Sequence, residues 1–408
     1  MSLYSAPDWK MDAQGHISSV REPDFYERLS RHRIVCKLCF MHCELEEGQA
    51  GQCRYRINQK GKMTIPFHGE NTCTVIQHRG YEADPFLFYK PGTKSLMLGG
   101  TYCTAKCSFC MSKEMTWDPE SVPWCYNPWT DTKEKSGAML ALRYDCRAML
   151  TPAAAICMAK EWKCDHIEFG INEPTLSWEY TYDVARLAKQ CGMDVVIESN
   201  GFTSKEAIEK LAPFIDSVQI GVKGSCDTTF YEKYVRTPGG ADAVKEAIIQ
   251  WKKAGVHLII GDVVAPPHMQ NNPEEIQKCF YSWLAENIGE HTPLLICPLY
   301  IPGPMGTIKD EDGQGYLTKT RGCPIEELEY SLVIDRTLKL GKKLGLHYTH
   351  IKSDSHIITC HACGGNLLHI THPNHIWQHR IQVTNGRCNH CGADVPIVDS
   401  MGKSACTT

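Results

Sequence analysis

The run Ser95-Leu96-Met97-Leu98-Gly99-Gly100-Thr101-Tyr102-Cys103-Thr104-Ala105-Lys106-Cys107-Ser108-Phe109-Cys110 decides how the rest of the chain is read. Its apolar start, Ser95 to Leu98, has the character of a buried strand, and the glycines after it open a loop. Cys103, Cys107 and Cys110 then follow, with three and two residues between them. That spacing lets three thiolates converge from one loop onto three corners of an iron–sulfur cubane. Such clusters usually take four cysteines, so a loop with three leaves one iron with an open coordination position. The alternatives are three packed core thiols or a zinc loop lacking a ligand. Ligand-spaced cysteines directly after a strand are hard to obtain by packing alone.

Outward from that loop, residues from about 95 to 352 alternate between short β-rich runs and helical stretches. The strand candidates are 95–99, 166–170, 194–199, 216–222, 256–264, 293–300 and 346–351. Helical patterns lie at 151–163, 178–191, 204–211, 241–254, 273–287 and 325–343, with stop signals at Gly192, Gly255 and Gly345. Strands alternating with helices imply an α/β fold with a parallel sheet and right-handed crossovers. Six or seven units suit an open partial barrel better than a closed eight-fold one. Two stretches break the rhythm. Residues 111–150 hold Trp117, Trp124 and Trp129 with Pro119, Pro123 and Pro128 and show no clear period. Residues 302–324 contain Pro302-Gly303-Pro304. Loops at the C-terminal ends of barrel strands surround the active site, so both are candidate substrate walls.

Two further cysteine groups flank the barrel. Cys36, Cys39, Cys43 and Cys53 can supply four thiolates to a tetrahedral zinc or to a second iron–sulfur cluster. Cys360-His361-Ala362-Cys363 and Cys388-Asn389-His390-Cys391 form two knuckles with glycine after each, and Ile381 to Gly386 between them reads as a strand and hairpin turn. A closed four-thiolate ribbon of this kind is a structural site, with zinc as the expected metal and mononuclear iron as the lesser option. His369, His372, His375 and His379 within it read as surface residues. The expected domains are an N-terminal extension over 1–94 carrying the first group, a barrel over 95–352, and a ribbon-like module over 353–408.

Composition sets outer limits. The 408 residues carry a net charge of −4, with 42% hydrophobic and 22% charged residues. This gives no electrostatic case for nucleic acid or an anionic membrane. No segment approaches 18 consecutive apolar residues, and Met1 to Asp8 show neither the basic n-region nor the apolar h-region expected of an export signal. Twenty-two cysteines, eleven of them in metal-ligand spacings, then suggest a reducing cytoplasm, and an oxygen-labile cluster suggests an anaerobic host.

The three-cysteine loop resembles the signature of the radical S-adenosylmethionine (SAM) superfamily. The resemblance implies a (β/α)6 core and a [4Fe-4S] cluster whose open iron is filled by the amino and carboxylate groups of SAM. An electron from the cluster would then cleave the sulfonium to a 5′-deoxyadenosyl radical. Phe109 is an apolar side chain suited to stacking on the adenine. The run Gly170-Ile171-Asn172-Glu173-Pro174 resembles the family's Gly-Gly-Glu-Pro, with Ile171-Asn172 in place of the second glycine. It implies that Gly170, Asn172 and Glu173 receive the methionyl ammonium. Ser199-Asn200-Gly201 is similar to the family's Thr/Ser-Asn-Gly beside the cofactor carboxylate, and on its own also reads as a turn. Lys223 matches the lysine of an Asp-x-Lys pattern, with Gly221 standing in the aspartate's place. That glycine leaves room there for something larger.

The resemblance is closest to the activase-like branch called AmmeMemoRadiSam, related to the pyruvate formate-lyase activating enzyme, and it covers residues 25–395. The implied function is hydrogen abstraction from a protein, peptide or small-molecule substrate, with ferredoxin or flavodoxin as reductant. Rival readings are a cobalamin-dependent C-methyltransferase, a glycyl-radical activase, and a non-enzymatic metal scaffold. Asp354-Ser355-His356 begins like a cobalamin motif, but Thr359 breaks it.

Overall fold

The computed structural model describes residues 9–11, 17–19, 21–78, 86–110, 112–122, 133–134, 139–143, 147–266, 269–299, 307–309, 315–317, 324–351, 356–371 and 378–399. Trp124, Trp129, Pro123, Pro128, most of 302–324, Asp354, Ser355, His372 and His375 lie outside them.

A ten-stranded sheet forms the centre. Its strands are β1 (Cys73–His78), β2 (Lys94–Gly99), β3 (Lys133–Glu134), β4 (Met139–Arg143), β5 (His166–Phe169), β6 (Asp194–Ser199), β7 (Ser217–Lys223), β8 (His257–Val264), β9 (Leu294–Pro298) and β10 (Thr349–Ile351). The spatial order is β3-β4-β1-β2-β5-β6-β7-β8-β9-β10. From β2 to β10 every neighbouring pair is parallel, and each is a strand that the apolar runs predict. Beyond β2 the sheet continues antiparallel through β1, β4 and β3. Residues assigned to the N-terminal extension and to the aromatic insertion therefore add strands to the barrel sheet.

The crossovers are α1 (Pro152–Glu161), α2 (Trp178–Gln190), α3 (Lys205–Leu211), α4 (Gly240–Lys253), α5 (Pro273–Asn287) and α6 (Pro324–Lys343). Helix α1 starts with Thr151 capping the amide of Ala154 and Pro152 in the first turn, a placement in which proline gives up no hydrogen bond. Gly192 and Gly255, just past α2 and α4, have φ of +73° each, which fits their reading as helix stops.

Successive strand residues point to opposite faces. Leu96, Leu98, Ile167, Phe169, Val195 and Ile197 pack with the helices in one large cluster. Val196, Ile259 and Leu295 face the other way. They pack with Phe86, Phe88, Leu367 and Val398 in a second cluster. The C-terminal module and residues 86–89 thus close the interior face of the sheet near the N-terminal ends of its strands. Val398 N–H donates to Phe88 O at 2.9 Å, Lys90 N–H donates to Val398 O at 2.8 Å, and His257 Nε2 lies 2.9 Å from Pro396 O. The opposite, C-terminal ends of the strands are left for the site.

Candidate functional site

At the end of β2 the chain turns into the cysteine loop, and Asn172 holds that turn. Its Oδ1 accepts from Gly100 N–H at 3.0 Å, while its Nδ2 donates to Thr101 O at 3.3 Å and Tyr102 O at 3.0 Å. The next stretch is tied to the loop before α4: Lys106 N–H donates to Val235 O at 3.1 Å and Ser108 N–H to Tyr234 O at 2.9 Å. Cys103 and Cys107 are buried and Cys110 is half-buried. Burial pushes the Cys103 thiol well above its ordinary range, and Glu173 and Cys107 add to the shift. Burial likewise pushes Cys107 up to about 12, although Lys223 opposes it. Thiolates in such a dry place need a cation of their own, which bound iron supplies. Three sulfur donors on one braced loop, two buried and one half-buried, are therefore a fit donor set for an iron–sulfur cluster.

The remaining predicted residues gather on the neighbouring strand ends. Glu173 is completely buried. Its carboxylate accepts from Ser199 Oγ at 2.9 Å, Asn200 N–H at 2.6 Å, Thr175 N–H at 3.0 Å and Thr175 Oγ1 at 2.6 Å. Those four donors occupy the acceptor capacity of a carboxylate, so Glu173 ties the end of β6 to the turn after β5. Asn200 Nδ2 lies 3.6 Å from Cys103 Sγ, and Asn200 Oδ1 accepts from Lys223 Nζ at 2.8 Å. The ammonium also donates to Gly221 O at 2.5 Å, and a Cβ on Gly221 would stand 2.9 Å from it. The space left by the missing aspartate is thus taken by the tip of Lys223. Gly170 is similarly constrained, because a Cβ there would meet Glu198 Oε2 at 3.0 Å. Phe109 is buried against Phe230, with ring centroids 5.7 Å apart.

Thr175 and Glu198 were not singled out by motif. The signal for Thr175 is its place directly after Glu173-Pro174, where a hydroxyl can return to the preceding carboxylate. Arg56 also escaped notice. Its guanidinium, 1% exposed, grips the fully buried Glu179 of α2, with Nη1 at 3.0 and 3.1 Å from the two carboxylate oxygens. Asp24 N–H donates to Glu179 Oε1 at 2.7 Å. This pair fastens the N-terminal module to the barrel.

Cys36, Cys39, Cys43 and Cys53 line one cavity together with Arg56 and Thr104. Burial raises the thiols of Cys36, Cys39 and Cys53. The module abuts the site directly, since Phe40 N–H donates to Phe202 O at 3.2 Å and Ser204 N–H to Leu38 O at 2.9 Å. At the other end of the chain, the sulfurs of Cys360, Cys363, Cys388 and Cys391 all lie within 4.8 Å of one another. The Cys360–Cys391 and Cys363–Cys388 separations are 3.7 and 3.9 Å. A tetrahedron with metal–sulfur bonds of about 2.3 Å has edges of about 3.8 Å, so these four sulfurs fit one metal ion. His390 N–H points to Cys388 Sγ at 3.4 Å, a bond that steadies a ligating thiolate.

A family model of the radical SAM superfamily matches residues 97–278. Over 389 residues the chain is 25% identical to the uncharacterized protein MJ0808 of Methanocaldococcus jannaschii, spanning 93% of this chain and all of that one. Among solved structures, a domain of the pyruvate-formate lyase-activating enzyme from Bacteroides vulgatus is similar, at 16% identity. The match covers 46% of this chain and 98% of that chain, with a TM-score of 0.34. SuiB of Streptococcus suis bound to S-adenosylmethionine matches at 12% identity over 62% of this chain and 48% of its own, with a TM-score of 0.38. QueE of Escherichia coli matches at 12% identity over 57% of this chain and 86% of its own, with a TM-score of 0.35. The cysteine loop and strands β5 to β8 beside it fall within residues 97–278, the stretch over which this chain is similar to the radical SAM superfamily.

Proposed function

We propose that the protein cleaves S-adenosylmethionine reductively and uses the resulting 5′-deoxyadenosyl radical to abstract hydrogen from a substrate held at the C-terminal ends of the strands. Cys103, Cys107 and Cys110 would hold a [4Fe-4S] cluster, which supplies one-electron reduction when bound. The observation that carries the reading is the chain Cys103–Asn200–Lys223: an amide 3.6 Å from a cluster sulfur, bonded at 2.8 Å to an ammonium. An ammonium and an amide N–H beside the cluster loop suit the carboxylate of a methionyl group. Glu173 and Thr175 hold Asn200 in place, and the helix-side core keeps the strand ends in register. We further propose zinc for the C-terminal four-sulfur site and a second metal centre for the N-terminal one. The space at Gly221 that would favour a large second cofactor such as cobalamin is filled by Lys223, so hydrogen abstraction without methyl transfer is the preferred reading.

The test is chromatography of anaerobic, reduced reactions. The expected products are 5′-deoxyadenosine and methionine without S-adenosylhomocysteine, and a Cys103→Ala, Cys107→Ala, Cys110→Ala variant should form neither. Turnover by that variant would sink the reading, and S-adenosylhomocysteine appearing in step with a methylated product would replace it with methyl transfer.

A further inference from the structure

Directly after Lys223 the chain makes a turn of rare backbone. Gly224, Ser225 and Cys226 have φ of +51°, +52° and +57°, three consecutive residues in the left-handed region. Glycine occupies that region freely. A residue with a Cβ does so at a cost, and stays there only where its surroundings over-determine it. For Ser225 the determinant is Asp262 of β8, which is completely buried. Asp262 Oδ1 accepts from Ser225 N–H at 2.9 Å, and Oδ2 accepts from Ser225 Oγ at 2.5 Å and from the Tyr281 hydroxyl of α5 at 2.9 Å. Two further bonds brace the same stretch: Gln270 Nε2 donates to Gly224 O at 2.8 Å, and Lys223 N–H donates to the Tyr231 hydroxyl at 3.2 Å. Burial raises the pKa of Asp262, and the bonds from Ser225 and Tyr281, then the charge of Lys223, oppose that rise. The sheet does not need this clamp, because β7 and β8 are already paired from Ser217 to Lys223. A buried carboxylate is also an expensive way to fix a turn, since it must be stripped of water.

We propose that Asp262 is a positioning residue for the cofactor: by holding Ser225 in left-handed backbone it aims Lys223 at the carboxylate of SAM. This deepens, and rests on, the reading of Lys223 as the partner of that carboxylate. The lever is short, because Lys223 ends β7 and Ser225 follows two residues later. With the turn fixed, the ammonium stays between Asn200 Oδ1 at 2.8 Å and Gly221 O at 2.5 Å. Without the clamp, the turn would relax toward ordinary backbone and carry the root of Lys223 with it. Among the described residues Asp262 makes no hydrogen bond to Lys223 or to the cysteine loop, so it acts through Ser225. The same turn is registered against that loop by packing. A Cβ on Gly224 would lie 2.7 Å from the Phe230 ring, and Phe230 packs on Phe109 with centroids 5.7 Å apart.

Titration of SAM into anaerobically reconstituted protein tests this through coupling between residues. Iron content and thermal melting first establish that each variant is folded and carries its cluster. Asp262→Ala should weaken SAM binding about tenfold in the wild-type background. In Lys223→Ala, where no ammonium is left to aim, the same substitution should weaken it less than about twofold, a non-additivity that a merely structural role would not produce. Ser225→Gly added to Asp262→Ala should restore most of the lost affinity, because glycine takes left-handed backbone without a clamp. Should Asp262→Ala not fold, Asp262→Asn keeps the shape but offers one acceptor oxygen where three donors converge. It should show the same coupling at about threefold. Equal losses in the two backgrounds overturn the proposal, as does SAM affinity that neither Asp262 substitution changes. Absence of any recovery with Ser225→Gly also overturns it. A wild type that binds no SAM would sink the functional reading together with the proposal, whereas one that binds SAM without the coupling sinks the proposal alone.

Discussion

Asn172 shows how a residue placed by motif acquires a role that only geometry gives. Resemblance suggests a cofactor contact, yet its amide is spent on Gly100, Thr101 and Tyr102, at the root of the cysteine loop. Asn172→Asp would set a carboxylate against two carbonyl oxygens. Leaving buried acceptors unpaired costs about 1–3 kcal/mol each, so this variant should assemble much less cluster than wild type, judged by iron content after anaerobic reconstitution. A full iron complement would show that the loop does not depend on the clamp. Lys223 gives the converse case. Lys223→Ala should weaken SAM binding by about 1.5–3 kcal/mol, roughly ten- to a hundred-fold, with cluster content unchanged. Gly221→Ala should act in the same direction, because its Cβ must displace an ammonium 2.9 Å away. Unchanged affinity in both would make the lysine a strand-end brace only. The cysteines and Lys223 were legible because their chemistry is written in residue type and spacing. Asn172 and Thr175 were not, since their partners are backbone atoms that spacing does not name.

At the scale of elements, the parallel strands were legible because each is a short apolar run bounded by helix stops. Strands β1, β3 and β4 escaped because they extend the sheet antiparallel, outside the strand–helix alternation that carried the reading. The short strand Glu70–Asn71 beside β1, paired with Ala148–Met149, carries a titration with a definite sign. Burial raises Glu70 from 4.5 to about 7, against the pull of Arg147 at 3.4 Å. Between those values the native state holds a proton that the unfolded chain has released. Stability from this group is therefore greatest below about pH 4.5 and declines as pH rises to about 7. Glu70→Gln should remove that decline, as read from denaturant midpoints across the window; an unchanged slope would assign the pH dependence elsewhere. The Arg56–Glu179 clasp predicts more. Arg56→Met strands a buried carboxylate and should cost about 3–5 kcal/mol, detaching the N-terminal module ahead of the barrel in hydrogen exchange.

Across the whole molecule, the three cysteine groups divide between two ends of one sheet. The cluster loop and the N-terminal module meet at the strand C-terminal ends, while the four-sulfur ribbon packs beneath the strand N-terminal ends. The ribbon itself was legible from its two knuckles; its place as the floor of the barrel was not, because nothing in Val395-Pro396-Ile397-Val398 names Phe88 or His257 as partners. That placement would tie a metal held by the four sulfurs to the barrel. Cys360→Ser or Cys388→Ser should remove one air-stable metal ion and also speed exchange of the Val398 amide, which is bonded to Phe88 O at 2.9 Å. His257 makes the same joint sensitive to acid. It bridges Ser217 Oγ at 2.8 Å and Pro396 O at 2.9 Å, and burial lowers its pKa from 6.5 to about 4. Between those values the unfolded chain binds a proton that the native state refuses. The stabilisation is complete above about pH 6.5 and is lost as pH falls toward 4, opposite in sign to Glu70. Exchange at Val398 should therefore quicken on acidification through this range in wild type and less in His257→Gln, with metal content checked at each pH to separate loss of thiolate ligands. Parallel profiles in the two proteins would mean that the floor opens by metal release, with His257 a bystander.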